Sequence, residues 1–443
     1  MAASVVAHDQ SSVLGAAAAA RSGFSASVVG SAEHASALGA SREQRGEAAP
    51  RTAAPAASAI LPTYKRSLEL VGGDRVEAID ADGNRYLDFV SGIAVNALGY
   101  NDPGLTAAMH AAVDAGLVHT SNLYVTQPAE RLARALVDRS FADYAFFCNS
   151  GAEANEGAFK LARRWARGVG PTGGAKHEIL AVRGGFHGRL FATLAATDRP
   201  AYRMPFRPLA GGVSIAERDA GDLENMIDAE TTAAVIVEPV QGEGGVRVLD
   251  RGLLAAIRQL CDERNVALIF DEIQCGLGRT GTLFAYEQTG VTPDIMTLAK
   301  PIAGGLPMGA ILVTKTVGAA IQAGEHGTTF GGGPFVATVA EYVLSRLSDP
   351  ALLAHVRETG TWFGGELAAL AQKSDRVRAV RGVGFMWGVD VVDRAADVVK
   401  RAQEIGLLVC TAGDHTVRLL PPLVATKDDL AQGLVLLEAA IRQ

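Results

Sequence analysis

Short apolar runs alternate with longer stretches of helical spacing through most of this chain. The runs cover 144–148, 178–182, 233–237, 267–270, 295–298 and 310–313. Continuous apolar runs bounded by turn signals suit strands buried on both faces of a parallel sheet. Their alternation with helices predicts a large α/β domain. Ahead of them, 76–80 and 86–89 flank Ala81-Asp82-Gly83-Asn84, a hairpin turn signal. From about residue 335 a helical stretch leads into an α+β tail. There 380–389 reads as the entry to a strand pair, and Thr426-Lys427-Asp428-Asp429 as the capped start of a terminal helix.

Two of the apolar runs end on complementary chemistry. The run 267–270 delivers Asp271 and Glu272, and the segment from Asp294 to Ala299 delivers Lys300. Open α/β sheets bind ligands at such strand ends. An amine and a carboxylate placed there suit pyridoxal 5'-phosphate, with the lysine as Schiff-base amine and the acid on the pyridinium nitrogen.

Composition narrows the classes that remain. The length of 443 residues suggests two to three domains. The net charge of -7 gives no footing for nucleic acid or an anionic membrane. No apolar run approaches the roughly 18 residues of a membrane span. Cys148, Cys261, Cys275 and Cys410 are scattered, which favours a reducing compartment, and no His/Cys cluster has metal-ligand spacing. Residues 1–58 are rich in Ala, Ser and Gly, and read as a disordered low-complexity extension. Their arginines are balanced by acids, so an organelle import signal is the lesser reading and a cytoplasmic location the preferred one.

Two glycine-containing segments carry further chemistry. Asn149-Ser150-Gly151-Ala152-Glu153-Ala154-Asn155-Glu156 follows a strand and opens a helix. Its amides could hold a phosphate; taken alone, it is as readily an ordinary capped helix start. Gly184-Gly185-Phe186-His187-Gly188-Arg189 follows the next strand. Phe186 there is either core or a platform for a flat ring.

These segments, read in order with 238–245, 271–274, 297–300 and 326–332, resemble the class III (subgroup III) aminotransferases of pyridoxal-phosphate fold type I. The resemblance runs from about Leu61 to the C-terminus. It implies a mostly parallel seven-stranded sheet in a large cofactor domain over 116–335. A smaller α+β domain would be built from 59–115 and 336–443. It implies Lys300 and Asp271 as catalytic residues. Ser150, Gly151 and Ala152 would hold the phosphate, with Phe186 and Ile273 on the ring, Glu272 beside it and Gln274 on its phenolic oxygen. Thr329 would reach the phosphate of the neighbouring subunit, making a homodimer with shared sites. Arg189, Thr328, Glu243 and Arg418 would bind substrate. Arg189 takes the donor's carboxylate, and Glu243 masks Arg418 until a dicarboxylate arrives.

Leu61-Pro62-Thr63-Tyr64, Ser91-Gly92-Ile93-Ala94-Val95-Asn96 and Ser121-Asn122-Leu123-Tyr124 resemble the family's acetylornithine branch. That implies N2-acetylornithine as amine donor, 2-oxoglutarate as acceptor and a place in arginine biosynthesis. Neighbouring alternatives are the carrier-linked lysine, ornithine, succinylornithine and 4-aminobutyrate enzymes. The sequence departs from the family pattern at Gly331-Gly332-Gly333-Pro334-Phe335, in 99–103 and at Pro301, none of which removes a catalytic group.

Overall fold

The apolar runs become the strands of one seven-stranded sheet. A computed structural model describes residues 58–170 and 176–443. The extension expected over 1–58 lies, but for its last residue, outside them. The sheet order is Tyr144–Cys148, Gly309–Val313, Ile295–Leu298, Ala267–Asp271, Thr232–Val237, Glu178–Val182, Val213–Ala216. Gly309–Val313 runs antiparallel to both of its neighbours, and the other pairings are parallel. The edge strand Val213–Ala216 has no clear mark in the chain. It is short and largely half-buried, so it lacks the fully apolar signature of its neighbours.

Helices cover both faces, which is why the strands carry no polar alternation. In Ala267–Asp271, Ala267 and Ile269 pack with Ala154, Ala158 and Ala162 of helix Gly151–Val169. Leu268 and Phe270 pack with Leu254, Ile257 and Cys261 of helix Arg251–Arg264 on the other side. Fully burying each large aliphatic or aromatic side chain contributes roughly 1.5–3 kcal/mol. The period of two also assigns the two acids at the strand end. Asp271 belongs with Ile269, on the side of helix Gly151–Val169, and Glu272 with Phe270.

Two smaller sheets flank this layer. Leu70–Asp74, Glu77–Asp80 and Arg85–Asp88 form an antiparallel meander, joined in parallel by Leu407–Leu408 from far along the chain. The expected hairpin is thus present, with Gly83 at φ 85° in its turn. Val377–Val383, Met386–Val391, Thr416–Leu419 and Cys410–Thr411 form an antiparallel sheet that carries Arg418. The terminal helix Lys427–Arg442 starts as its sequence predicts: Thr426 accepts from the Asp429 amide, and Asp429 accepts from that of Thr426.

Candidate active site

The strand ends bring Lys300 and Asp271 to one edge of the sheet. Lys300 opens a 3-10 turn, Lys300–Ala303, immediately after strand Ile295–Leu298. Its φ of 43° is left-handed, which costs a lysine roughly 1–2 kcal/mol and marks a position the surrounding packing imposes. Burial holds its amine below the ordinary lysine range, and Arg418 pushes the same way against the pull of Asp271. A lysine so placed is a better nucleophile and base than a solvated one.

Asp271 is buried and fixed by three donors. Its Oδ2 accepts from Asn155 Nδ2 at 2.7 Å and faces His187 Nδ1 at 2.8 Å, and its Oδ1 accepts from the Ile273 amide at 3.1 Å. Asn155 is oriented in turn by Thr297 Oγ1, 2.7 Å from its Oδ1, and by the His187 carbonyl. The short contact to a carboxylate puts the histidine proton on Nδ1. His187 Nε2 has no partner among the described residues. His187 is therefore satisfied on one side only. Oδ1 of Asp271 keeps a lone pair for one more donor, such as a pyridinium N–H.

The start of helix Gly151–Val169 is the place where a phosphate could be held. Ser150 caps it, accepting from the Glu153 amide at 3.2 Å. The early amides of Gly151 and Ala152, both half-buried, remain as donors of the helix N-terminus. A Cβ on Gly151 would stand 2.9 Å from the Ile273 side chain, so glycine is what lets the helix start approach Ile273. Thr328 Oγ1 accepts from Asn149 Nδ2 at 3.0 Å. Thr328, expected among the substrate-binding residues, is thus tied to Asn149, just before the helix start. Thr329 is exposed.

Glu272 is the second acid at this strand end. Its two carboxylate oxygens accept from the amides of Ala285 and Tyr286, at 2.6 and 2.7 Å. It faces away from Asp271, as adjacent strand residues must, and anchors the loop 285–288. Burial pushes its carboxyl up to about 8 despite those amides.

Opposite the amine lies a charged cluster. Arg418 is 3% exposed and donates to Gln274 Oε1 at 3.1 Å and to Glu243 Oε2 at 3.1 Å. A guanidinium only donates, so Gln274 presents its oxygen to Arg418 and keeps its NH₂ for another acceptor. Arg189 is exposed, with its guanidinium 3.6 Å from the Tyr202 ring centre and 5.7 Å from that of Phe186. The Phe186 amide donates to Glu238 Oε2 at 2.9 Å, and the Gly242 amide to Glu238 Oε1 at 3.2 Å. Burial and the nearby Asp271 raise the Glu238 carboxyl to about 7.

Sequence reasoning gave no role to Asn155, Glu238, Tyr202 or Arg199. Asn155 had a signal, since it lies four residues after Gly151 and so on the same helix face. Tyr202 had none. Among the described residues no group of three or more His, Cys, Asp or Glu could hold a metal ion, and no helix is long and apolar enough to cross a membrane.

A lysine of lowered basicity, a buried carboxylate with one free lone pair and a phosphate-binding helix start all fit pyridoxal 5'-phosphate. Fold and site together define a pyridoxal-phosphate-dependent transaminase of fold type I. The chain belongs to the class-III aminotransferases, whose family model matches residues 65–441. It is 44% identical over 364 residues to the acetylornithine aminotransferase of Methanocaldococcus jannaschii, covering 82% of this chain and 90% of that protein. It is 42% identical over 394 residues to the succinylornithine transaminase of Yersinia pestis, covering 87% and 95%. The crystal structure of N-acetylornithine aminotransferase from Stenotrophomonas maltophilia K279a superposes with a TM-score of 0.75 at 37% identity, covering 86% of this chain and 96% of that one.

Proposed function

We propose that this enzyme moves the ω-amino group of N2-acetylornithine to 2-oxoglutarate, giving N-acetylglutamate 5-semialdehyde and glutamate. The observation that carries the reading is the unequal pair of arginines. Arg189 is exposed and available to a carboxylate in both halves of the cycle. Arg418 is buried and already masked by Glu243. One pocket can then accept a donor whose reacting end carries no carboxylate, and later a dicarboxylate, by releasing one carboxylate from one guanidinium.

Bound at this site, the cofactor would supply the electron sink for the transfer of nitrogen. Lys300 Nζ moves the proton to and from the carbon that bears that nitrogen. Asp271, locked by Asn155 and His187, holds a proton on the pyridine nitrogen. Gln274, whose oxygen faces Arg418, would offer its NH₂ to the phenolic oxygen. Ketoglutarate-dependent turnover across a panel of ω-amines tests the reading. Acetylornithine should give the highest kcat/KM. Preference for succinylornithine, which the 42%-identical relative brings forward, would replace the donor and keep the chemistry.

Glu243→Ala should speed the glutamate half-reaction relative to that of acetylornithine, because Arg418 is then unmasked. Arg189→Ala should slow both. Losing a charged, hydrogen-bonded partner costs about 2–5 kcal/mol, on the order of 30-fold and upward in rate. Single-turnover spectra with each amine decide. Equal slowing of both halves by Glu243→Ala would make that residue structural.

The site is read as shared across a homodimer working in the cytoplasm. Thr329 is exposed, beside Phe330 at 65% exposure, and Leu123, Tyr124 and Val125 are also open to solvent. Apolar exposure of this extent suits a partner surface. The four cysteines are free thiols, as a reducing compartment allows. Mixing Lys300→Ala with Thr329→Ala subunits should restore one intact site per heterodimer. Activity no higher than that of the separate variants, once exchange has been shown by mass, would place Thr329 in its own chain's site.

A further inference from the structure

Arg189, Glu243 and Phe186 converge on one tyrosine. Tyr202 lies on the short helical turn Pro200–Arg203 and is half-buried. Its hydroxyl donates to Glu243 Oε1 at 3.2 Å. The Arg189 guanidinium sits over its ring at 3.6 Å, and Phe186 meets it edge-on at 6.4 Å and 87°. The same turn holds Glu243 a second time, since Arg199 at its start donates to the Glu243 carbonyl. One Glu243 oxygen therefore belongs to Tyr202, and the other to Arg418 at 3.1 Å.

We propose that Tyr202 is the positioning residue of the two-arginine site. Its hydroxyl sets the Glu243 carboxylate against Arg418, and its ring sets the Arg189 guanidinium for the donor's carboxylate. The proposal rests on the reading of Arg189 and Arg418 as carboxylate anchors, and goes beyond it by naming what holds each in its resting place.

The physical need is clear at both ends. Glu243 sits between Gly242 and Gly244, which offer no side chains to pack against it, and its carboxylate is held by the partners named above. A hydroxyl on the oxygen that Arg418 leaves free restrains it without competing for the guanidinium. Arg189 is exposed, and its close contacts are with the two aromatic rings. An aromatic face orients a guanidinium and leaves its in-plane N–H donors open for a carboxylate. Displacing Glu243 from Arg418 must then work against the Tyr202 hydroxyl, so that hydroxyl sets how readily a dicarboxylate enters.

Tyr202→Phe in the holoenzyme removes the hydroxyl and keeps the platform. A net hydrogen bond of this kind corresponds to a change of about fivefold. Glutarate, an unreactive dicarboxylate, should bind about fivefold tighter by spectral titration or calorimetry. The glutamate half-reaction should gain by a similar factor relative to the ω-amine half-reaction, with the donor's KM little changed. Tyr202→Leu, which also loses the ring, should raise the donor's KM about fivefold as Arg189 loses its platform. In a Glu243→Ala background, Tyr202→Phe should no longer alter glutarate affinity, because the hydroxyl acts only through that carboxylate. A purely structural role would persist in that background.

Glutarate affinity within twofold of wild type in Tyr202→Phe overturns the proposal, as does an undiminished effect when Glu243 is already alanine. The titration uses no amine donor, so an error in the donor's identity leaves it readable. Failure of glutarate to bind either the wild type or Glu243→Ala overturns the anchor reading, and this proposal with it.

Discussion

Lys300→Ala is expected to lower turnover by a factor on the order of 10⁴ or more, while the folded chain still binds pyridoxal phosphate noncovalently. The residue carries both the covalent attachment and the proton transfer, and proton transfer by a placed base alone is worth about 10²–10⁴. The fold should survive, because the change removes an amine whose burial is costly and relaxes no ion pair. Borohydride reduction of the wild type followed by peptide mapping should find the label on Lys300. In the variant, borohydride should leave no label on the protein. A label on another lysine, or turnover within tenfold of wild type, would mean the strand-end amine has been misassigned.

The second large effect is expected at Asp271. Two unit charges about 3 Å apart at an effective dielectric of about 20 interact by roughly 5 kcal/mol, and removing one should cost on the order of 10³–10⁴ in rate. Asp271→Asn removes the charge and keeps the shape. With its carbonyl oxygen in the place of Oδ2 the asparagine keeps the Asn155 and His187 bonds, and its NH₂ then faces the Ile273 amide that donated to Oδ1. Stability should therefore fall by about 1–3 kcal/mol, and the loss of rate should fall on both half-reactions alike. Asp271→Ala should in addition leave the buried Asn155 and His187 donors unpaired and lower Tm. The measurements are single-turnover rates for both halves and thermal melts of the holoenzyme. An Asp271→Asn variant within tenfold of wild type would remove the carboxylate from the chemistry.

Several features were legible in the chain for local reasons. Apolar runs named the central strands because both faces of those strands are covered. Lys300 and Asp271 stood out because strand ends in such sheets open onto a ligand site. Thr426 announced its helix because a cap and its return bond lie within four residues. Ser150 could be placed at a helix start for the same reason.

Other features lie across large separations or turn on which way a side chain faces. A run buried on both sides has no alternation to show which neighbour faces the site, so apolar patterning alone does not separate Asp271 from Glu272. The period of two, combined with helix Gly151–Val169 on one face, separates them. Arg418 meets Gln274 and Glu243 across 144 and 175 residues, and Tyr202 meets Glu243 across 41. No spacing rule spans such distances, because packing of the C-terminal sheet and of the Pro200–Arg203 turn sets those contacts. The strands, the amine and the acid are thus written locally in the chain, where burial and strand ends leave their mark. Which carboxylate masks Arg418, and which ring holds Arg189, depends on surfaces that meet only once the chain has packed.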